Sequence, residues 1–166
     1  MATEHLLSIG RKRIGAAGGS RVVSTNRIRH SGYVDTLIRN GLIPDQRLTV
    51  EVPATEEGGC EALRKLLEID PNIDAVFCFS DLVAIGVMME CLKQGIRIPD
   101  DIALVGYADL EHSCLLRVPL TTVRQPREQM GQCAAEMLIE QMDGKTPEVA
   151  QVKLPVELIV RESTVR

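Results

Sequence analysis

The residue with the most specific chemistry in this sequence is Arg29, which is followed by His30, Ser31 and Gly32. It lies near the start of the helix that we predict after the first strand. A guanidinium group is planar, stays charged and presents a fork of N–H donors, so it can hold hydroxyls or a carboxylate in a cleft. The same position also fits an exposed surface cation. Arg29 is therefore a candidate ligand-binding residue, with a surface role as the alternative.

A polar pair, Ser80 and Asp81, stands between an apolar strand pattern and an apolar helix pattern. Serine and aspartate are preferred at this place because a side-chain oxygen can accept a backbone N–H of the first helical turn. We predict this capping role for Asp81. Ser80 fits a cap and a ligand contact equally well, so both residues stay candidates for the binding site.

Catalytic chemistry is not indicated by the other polar residues. The histidines His5, His30 and His112 follow no recognisable triad order, and there is no Gly-x-Ser-x-Gly turn or phosphate-binding loop. The segment Gly15-Ala-Ala-Gly18-Gly19-Ser20 lacks the spacing of a dinucleotide-binding turn. We therefore predict that the protein is not an enzyme and uses no cofactor.

Cysteine usage favours a reducing compartment and no metal site. The five cysteines are widely scattered, without the close spacing of a zinc or redox motif: Cys60, Cys78, Cys91, Cys114 and Cys133. No stretch is long and apolar enough to span a bilayer, and the first residues lack a signal-peptide apolar region. We expect a cytoplasmic protein with no membrane partner.

Composition restricts the partners further. The chain has 166 residues, which suits one domain, and its net charge of −4 disfavours nucleic-acid binding by these residues alone. Aromatic residues make up only 2%, with no Trp, so rows of rings for stacking on bases or sugar faces are excluded.

The elements that must position these residues alternate between strands and helices. Apolar strand patterns cover 13–17, 48–52, 73–79, 102–105 and 120–123, with helix patterns at 3–10, 26–40, 57–69, 82–94 and 126–142. Two further strand-like runs, 150–154 and 156–161, are separated by Pro155. This alternation predicts an α/β fold with a three-layer, doubly wound parallel sheet.

In such folds the ligand binds beyond the carboxyl ends of the strands. The candidates directly after the strands are Gly18-Gly19-Ser20, Pro53-Ala54-Thr55, Ser80-Asp81, Tyr107-Ala108-Asp109 and Arg124-Gln125. From these, and with Arg29 at the start of a helix, the predicted ligand-binding residues are Arg29, Ser80, Asp81, Ala108, Asp109 and Gln125. The long polar loop 106–119, followed by a strand that runs directly into a helix, also fits a chain crossing between two lobes of a cleft.

Several segments resemble the lactose-repressor family of bacterial transcription regulators. They are Arg29-His-Ser-Gly32-Tyr33, Ser80-Asp-Leu-Val-Ala-Ile-Gly86, Pro99-Asp-Asp-Ile-Ala-Leu-Val-Gly-Tyr-Ala-Asp109, and Pro119-Leu-Thr-Thr-Val-Arg-Gln-Pro126 with Gly131. The resemblance covers residues 5 to 163. It implies an effector-binding domain with the type I fold of periplasmic binding proteins. It also implies an operator-binding helix-turn-helix outside this chain and a homodimer.

The resemblance also implies a division of the chain. Residues 1–124 and 156–166 would form the second lobe, and residues 125–155 would form the crossover and a piece of the first lobe. A solute-binding protein of a sugar import system shares this fold and is the alternative. The five cysteines and the segment from Pro119 to Pro126 weigh against that alternative.

For the effector, the resemblance implies that Arg29 grips the ligand, that Ser80 supplies a polar contact and that Gln125 reaches the cleft. Family members often carry an aspartate directly after the Gly-aromatic pair, where this chain has Ala108 followed by Asp109. They often carry an aromatic platform where this chain has Pro53-Ala54-Thr55. Both differences, and a likeness to the gluconate-repressor branch, favour a sugar acid such as gluconate over a neutral aldopyranose.

Overall fold

The computed structural model describes residues 1–144 and 151–165. Helices and strands alternate along most of this part of the chain: α1 (Ala2–Ser8), β1 (Ile14–Gly18), α2 (Ser24–Arg39), β2 (Thr49–Glu51), α3 (Glu56–Ile69), β3 (Ala75–Cys78), α4 (Asp81–Gln94), β4 (Ala103–Ala108), β5 (Thr121–Arg124), α5 (Arg127–Met142) and β6 (Glu157–Ile159). Two short 3-10 helices, Gln46–Leu48 and Glu111–Cys114, precede β2 and β5.

The strands form one sheet in the order β2-β1-β3-β4-β5-β6. All neighbouring strands are parallel except β5 and β6, which pair in antiparallel register with Arg124 opposite Glu157. The predicted α/β fold with a three-layer, doubly wound parallel sheet is confirmed, and β6 is added to it in antiparallel register. The parallel arrangement brings the carboxyl ends of β1 to β5 to one edge of the sheet.

The alternation of side chains along the strands divides the core between the two faces of the sheet. One face carries Phe77 and Val105 and packs against α1 and α2, where Leu6, Tyr33 and Leu37 are buried. The next residues along the same strands point to the opposite face and pack against α3 and α4. Each fully buried leucine or valine contributes about 1.5–3 kcal/mol relative to an exposed one.

Helices α3 and α4 approach each other through two buried glycines. A Cβ atom on Gly59 would overlap the carbonyl oxygen of Val83, and one on Gly86 would overlap the carbonyl oxygen of Glu56. Backbone atoms cannot move aside as the end of a flexible side chain can. The close crossing of these helices therefore requires glycine at both positions.

We expect Gly86→Ala to lower the free energy of unfolding by about 3 kcal/mol, because the new methyl group forces the two helices apart. Chemical denaturation measures this difference. Gly32→Ala is the matched control, since this glycine is also inside a helix but would place its Cβ in open space. The control should be neutral or slightly stabilising. Equal stability of Gly86→Ala and the parent would contradict the packing described here.

The structure differs from the predicted elements near the end of the chain. Residues 151–154 carry no strand, although an apolar run predicted one over 150–154, and residue 150 lies outside the described residues. The run 156–161 shortens to β6, Glu157–Ile159. A strand needs a hydrogen-bonded neighbour, and residues 151–154 do not pair with any strand of the described sheet. Among the described residues, no helix is long and apolar enough to cross a membrane.

Candidate functional site

Arg29 lies at the edge of the sheet where the parallel strands end. Its Nη1 atom donates a hydrogen bond of 2.7 Å to the carbonyl oxygen of Phe79, directly after β3. Its guanidinium carbon lies 3.9 Å from the ring centroid of Tyr107, near the end of β4. The interpretation of Arg29 as a free surface cation is therefore wrong, because the side chain is partly buried and held by two strands.

These two contacts orient the guanidinium group and occupy only one of its N–H donors. The carbonyl of Phe79 takes one N–H donor out of the five that an arginine carries, and the Tyr107 ring contacts the face of the group rather than its N–H edge. A cation above an aromatic ring gains about 0.5–2 kcal/mol. The arrangement leaves a pre-positioned fork that can donate to a carboxylate or to neighbouring hydroxyls.

Tyr107 separates two grooves. The first has a volume of about 650 Å³ and runs from Arg29 along α2, with Phe77, Val123 and Val156 in its lining. The second has a volume of about 410 Å³ and lies between α5 and residues 151–156, with Gln125 in its lining. Tyr107 and Val156 line both grooves. Arg29 thus lines the first groove and Gln125 the second, and Tyr107 belongs to both.

Ser80 caps helix α4. Its hydroxyl accepts a hydrogen bond from the backbone N–H of Val83 at 3.3 Å. The capping role predicted for Asp81 is therefore wrong, since the preceding residue performs it. Ser80 stays partly exposed beside the carbonyl that Arg29 contacts.

Asp81 is fully buried, and its carboxylate accepts three hydrogen bonds from the chain. The donors are the backbone N–H of Leu110 at 2.8 Å and the hydroxyls of Ser113 and Thr122, each at 2.6 Å. A Cβ atom on Gly106 would overlap Asp81 Oδ1, so only glycine fits on the neighbouring strand. Asp81 joins the start of α4 to the loop after β4 and to β5.

Ala108, the last residue of β4, and Asp109, which follows it, have an unusual backbone conformation, with φ angles of 135° and 54°. A positive φ is strained for residues other than glycine, and aspartate tolerates it better than alanine does. Such strain costs of order 1–3 kcal/mol and persists only where surrounding contacts impose it. The two residues turn the chain sharply at the edge where the binding site was predicted.

The Asp109 carboxylate is held by two arginines. Oδ2 accepts from Arg124 Nε at 2.6 Å, and Oδ1 accepts from Arg161 Nη2 at 2.7 Å. Burial alone would raise the pKa of Asp109, but the hydrogen bonds from Arg124 and Arg161 outweigh it and lower the pKa below its ordinary value. Asp109 is therefore ionised at neutral pH and has its charge balanced within the chain.

Sequence reasoning placed all six predicted residues near one edge, but it did not find the residues that hold them. Tyr107 was among the candidates at the end of a predicted strand but was left out of the six, and the structure places its ring against Arg29. Thr122 was quoted only as part of a strand, and nothing in the sequence indicated that Thr122 and Ser113 contact Asp81 or that Arg161 contacts Asp109. Within residues 1–144 and 151–165, no group of three His, Cys, Asp or Glu side chains could hold a metal ion.

Comparison with known proteins assigns this chain to a family. The model of the periplasmic binding protein-like domain matches residues 3–164. The chain therefore belongs to that family, and the resemblance to the lactose-repressor regulators is confirmed by its relatives. The HTH-type transcriptional repressor CytR of Escherichia coli (strain K12) is 33% identical over 163 residues, which are 98% of this chain and 48% of that protein.

Solved structures agree with this assignment. The structure of the transcriptional regulator CelR in complex with cellobiose superposes with a TM-score of 0.94 at 34% identity, over 98% of this chain and 50% of that one. A LacI family transcriptional regulator from Mycobacterium smegmatis gives a TM-score of 0.89 at 32% identity, over 98% of this chain and 60% of that one. The chain spans about half the length of the curated relatives it matches.

Proposed function

We propose that this chain is the effector-binding part of a transcription regulator, most simply a repressor, that binds a small sugar or sugar acid at Arg29. The observation that carries the proposal is the guanidinium group fixed between the Phe79 carbonyl and the Tyr107 ring at the carboxyl edge of the sheet. The matched relatives named above are transcription regulators, which favours this function over solute import. We also propose that the protein works in the cytoplasm and is not an enzyme.

Ligand binding in this proposal changes an equilibrium between conformations and breaks no covalent bond. A ligand held by Arg29 on one lobe and by groups of a second lobe favours the closed cleft, since only that state makes both sets of contacts. Operator DNA is bound by a helix-turn-helix part outside the residues described here. The difference in effector affinity between the two states sets the size of the response at the DNA.

We keep the division into lobes as part of this proposal. Residues 1–124 and 156–166 are proposed to form the second lobe, and residues 125–155 the crossover and a piece of the first lobe; residues 145–150 and 166 lie outside the described part of the chain. Helix α5 supports the division because it has no buried residue, and Leu138 and Ile139 are 58% and 59% exposed. An apolar helix face left uncovered in this way is expected to pack against further chain.

A homodimer is also proposed, through helix α4. Leu82, Met89 and Leu92 recur at helical spacing on its outer face and are 41%, 50% and 42% exposed. Such a stripe can pair with the same stripe of a second copy around a two-fold axis. The dimer would place two DNA-binding parts at the separation of two half-sites.

The effector class follows from charge. Arg29 provides a fixed cation, and Ala108 leaves no carboxylate at the position directly after Tyr107 to repel an anionic ligand. A sugar acid such as gluconate is therefore the proposed effector. A neutral sugar is the second candidate, and the complex of the related regulator CelR with cellobiose favours it.

A thermal-shift panel on the intact protein tests this proposal. The panel contains gluconate, glucose, cellobiose and a purine, each at saturating concentration. A ligand at 100 times its dissociation constant adds about 2.7 kcal/mol to the free energy of unfolding. Stabilisation by gluconate alone supports a sugar acid. Stabilisation by cellobiose or glucose alone keeps the effector-binding role and overturns the sugar acid, and no stabilisation by any member contradicts the proposal.

A further inference from the structure

Asp109 contacts arginines from three separate places in the chain. Arg124 is the last residue of β5 and Arg127 is the first residue of α5, while Arg161 follows β6. The carboxylate accepts from Arg124 and Arg161, and the Asp109 carbonyl accepts from Arg127 Nη2 at 3.1 Å. A single residue therefore joins three elements at the edge of the sheet.

The three arginines belong to the two segments that leave the sheet and return to it. β5 leaves the sheet towards α5, and β6 brings the chain back from residues 151–156. The two strands pair antiparallel, with Arg124 opposite Glu157. Asp109 thus contacts the outgoing segment, residues 121–127, through Arg124 and Arg127. It contacts the returning segment, residues 157–161, through Arg161.

Asp109 itself is rigidly placed. Its backbone N–H donates to Thr122 Oγ1 at 3.3 Å, and the next backbone N–H, of Leu110, donates to the buried carboxylate of Asp81. The Asp109 side chain is only 9% exposed, and each of its two oxygens has a different arginine as its partner. A carboxylate held in this way has little capacity left to accept a ligand hydroxyl.

We propose that Asp109 is a positioning residue that fixes the outgoing and returning segments relative to the sheet, and that it acts on effector binding without touching the effector. The effect on effector binding rests on the proposed function, because these segments would connect the two lobes of the cleft. Loss of the Asp109 charge then loosens the connection and shifts the equilibrium between open and closed states. The contacts that recognise the ligand at Arg29 stay intact.

The first test needs no ligand. Hydrogen exchange of Asp109→Asn in the intact protein should be at least tenfold faster at amides of residues 121–127 and 157–161 than in the parent. Asp101→Asn is the matched control, because Asp101 also holds an arginine, Arg97, by two side-chain bonds but within a single loop. The control should leave exchange at those amides unchanged. Unchanged exchange in Asp109→Asn would overturn the proposal.

Arg124→Gln provides a second variant that removes only the outgoing contact, on a side chain that is half exposed. It should speed exchange at residues 124–127 more than at residues 157–161. Equal acceleration along the whole protein would show general destabilisation and would also overturn the proposal.

The second test separates positioning from direct contact. Calorimetric titration of Asp109→Asn with gluconate and with cellobiose should show the same change in affinity for both, about tenfold, since the shared closure step is altered. A change for one ligand alone identifies Asp109 as a contact residue and overturns the proposal. If neither ligand binds the parent protein, the proposed function fails, while the exchange experiment still decides the role of Asp109.

Discussion

Replacing Asp81 by alanine is expected to lower the free energy of unfolding by about 3–5 kcal/mol, the largest effect on stability that we predict. The carboxylate is fully buried and is the acceptor for the Leu110 N–H and for two hydroxyls. Removing it takes the acceptor away from two buried hydroxyls and a partly buried backbone N–H, and opens a cavity beside Gly106. The loop after β4 then loses its attachment to α4, which we expect to see as a reduced denaturation midpoint.

Two further variants serve as comparisons for Asp81→Ala. Ser80→Ala removes only the hydroxyl that caps α4 and should cost about 1 kcal/mol. Asp81→Asn keeps the shape but offers one acceptor oxygen in place of two, so its cost should fall between the other two. Urea denaturation of all three provides the comparison. An Asp81→Ala protein as stable as Ser80→Ala would show that the buried carboxylate is not a structural link.

Replacing Arg29 by alanine is expected to have the largest effect on function, with a loss of effector affinity of about 2–5 kcal/mol. The guanidinium group supplies the only fixed positive charge that we assign to the ligand, and its loss also removes the group that packs on the Tyr107 ring. Arg29→Lys should recover only part of the affinity, because an ammonium group has no planar fork. Isothermal titration calorimetry measures these differences directly.

Arg27→Ala is the matched control for this prediction. Arg27 lies two residues earlier on α2 and is exposed, so its removal changes the net charge equally without disturbing the site. Affinity should stay within about twofold of the parent, as expected for an exposed charge. Similar losses in the Arg27 and Arg29 variants would mean that overall charge, and not the fixed fork, attracts the ligand.

Most of the fold could be predicted from the sequence because its elements have strong periodicity and clear breaks. Apolar residues at helical spacing and a glycine at the end defined α4, where Gly95 has a φ of 73°. Residues 151–154 show the limit of this reasoning, since an apolar run forms a strand only when a neighbouring strand is present. The hydrophobic pattern of a segment does not identify the strand that would pair with it.

The candidate site was less accessible to sequence reasoning. Arg29 could be named from its position after the first strand, yet the Tyr107 ring that orients it is 78 residues away along the chain. Asp109 could be named, but its partner Arg161 is 52 residues away, so the ion pair had no local signal. Long-range polar contacts of this kind follow from the register of the sheet, which a single sequence does not reveal.

Hydrogen exchange of the intact protein with and without the most stabilising ligand of the panel tests the central claim most directly. We predict that the ligand slows exchange in three segments at the carboxyl edge of the sheet, residues 26–33, 79–81 and 106–109. Residues 9–13 and 70–74, at the opposite end of the strands, should be unaffected. Protection confined to the opposite end, with none around Arg29 and Tyr107, would contradict the claim that effector binding occurs at this edge.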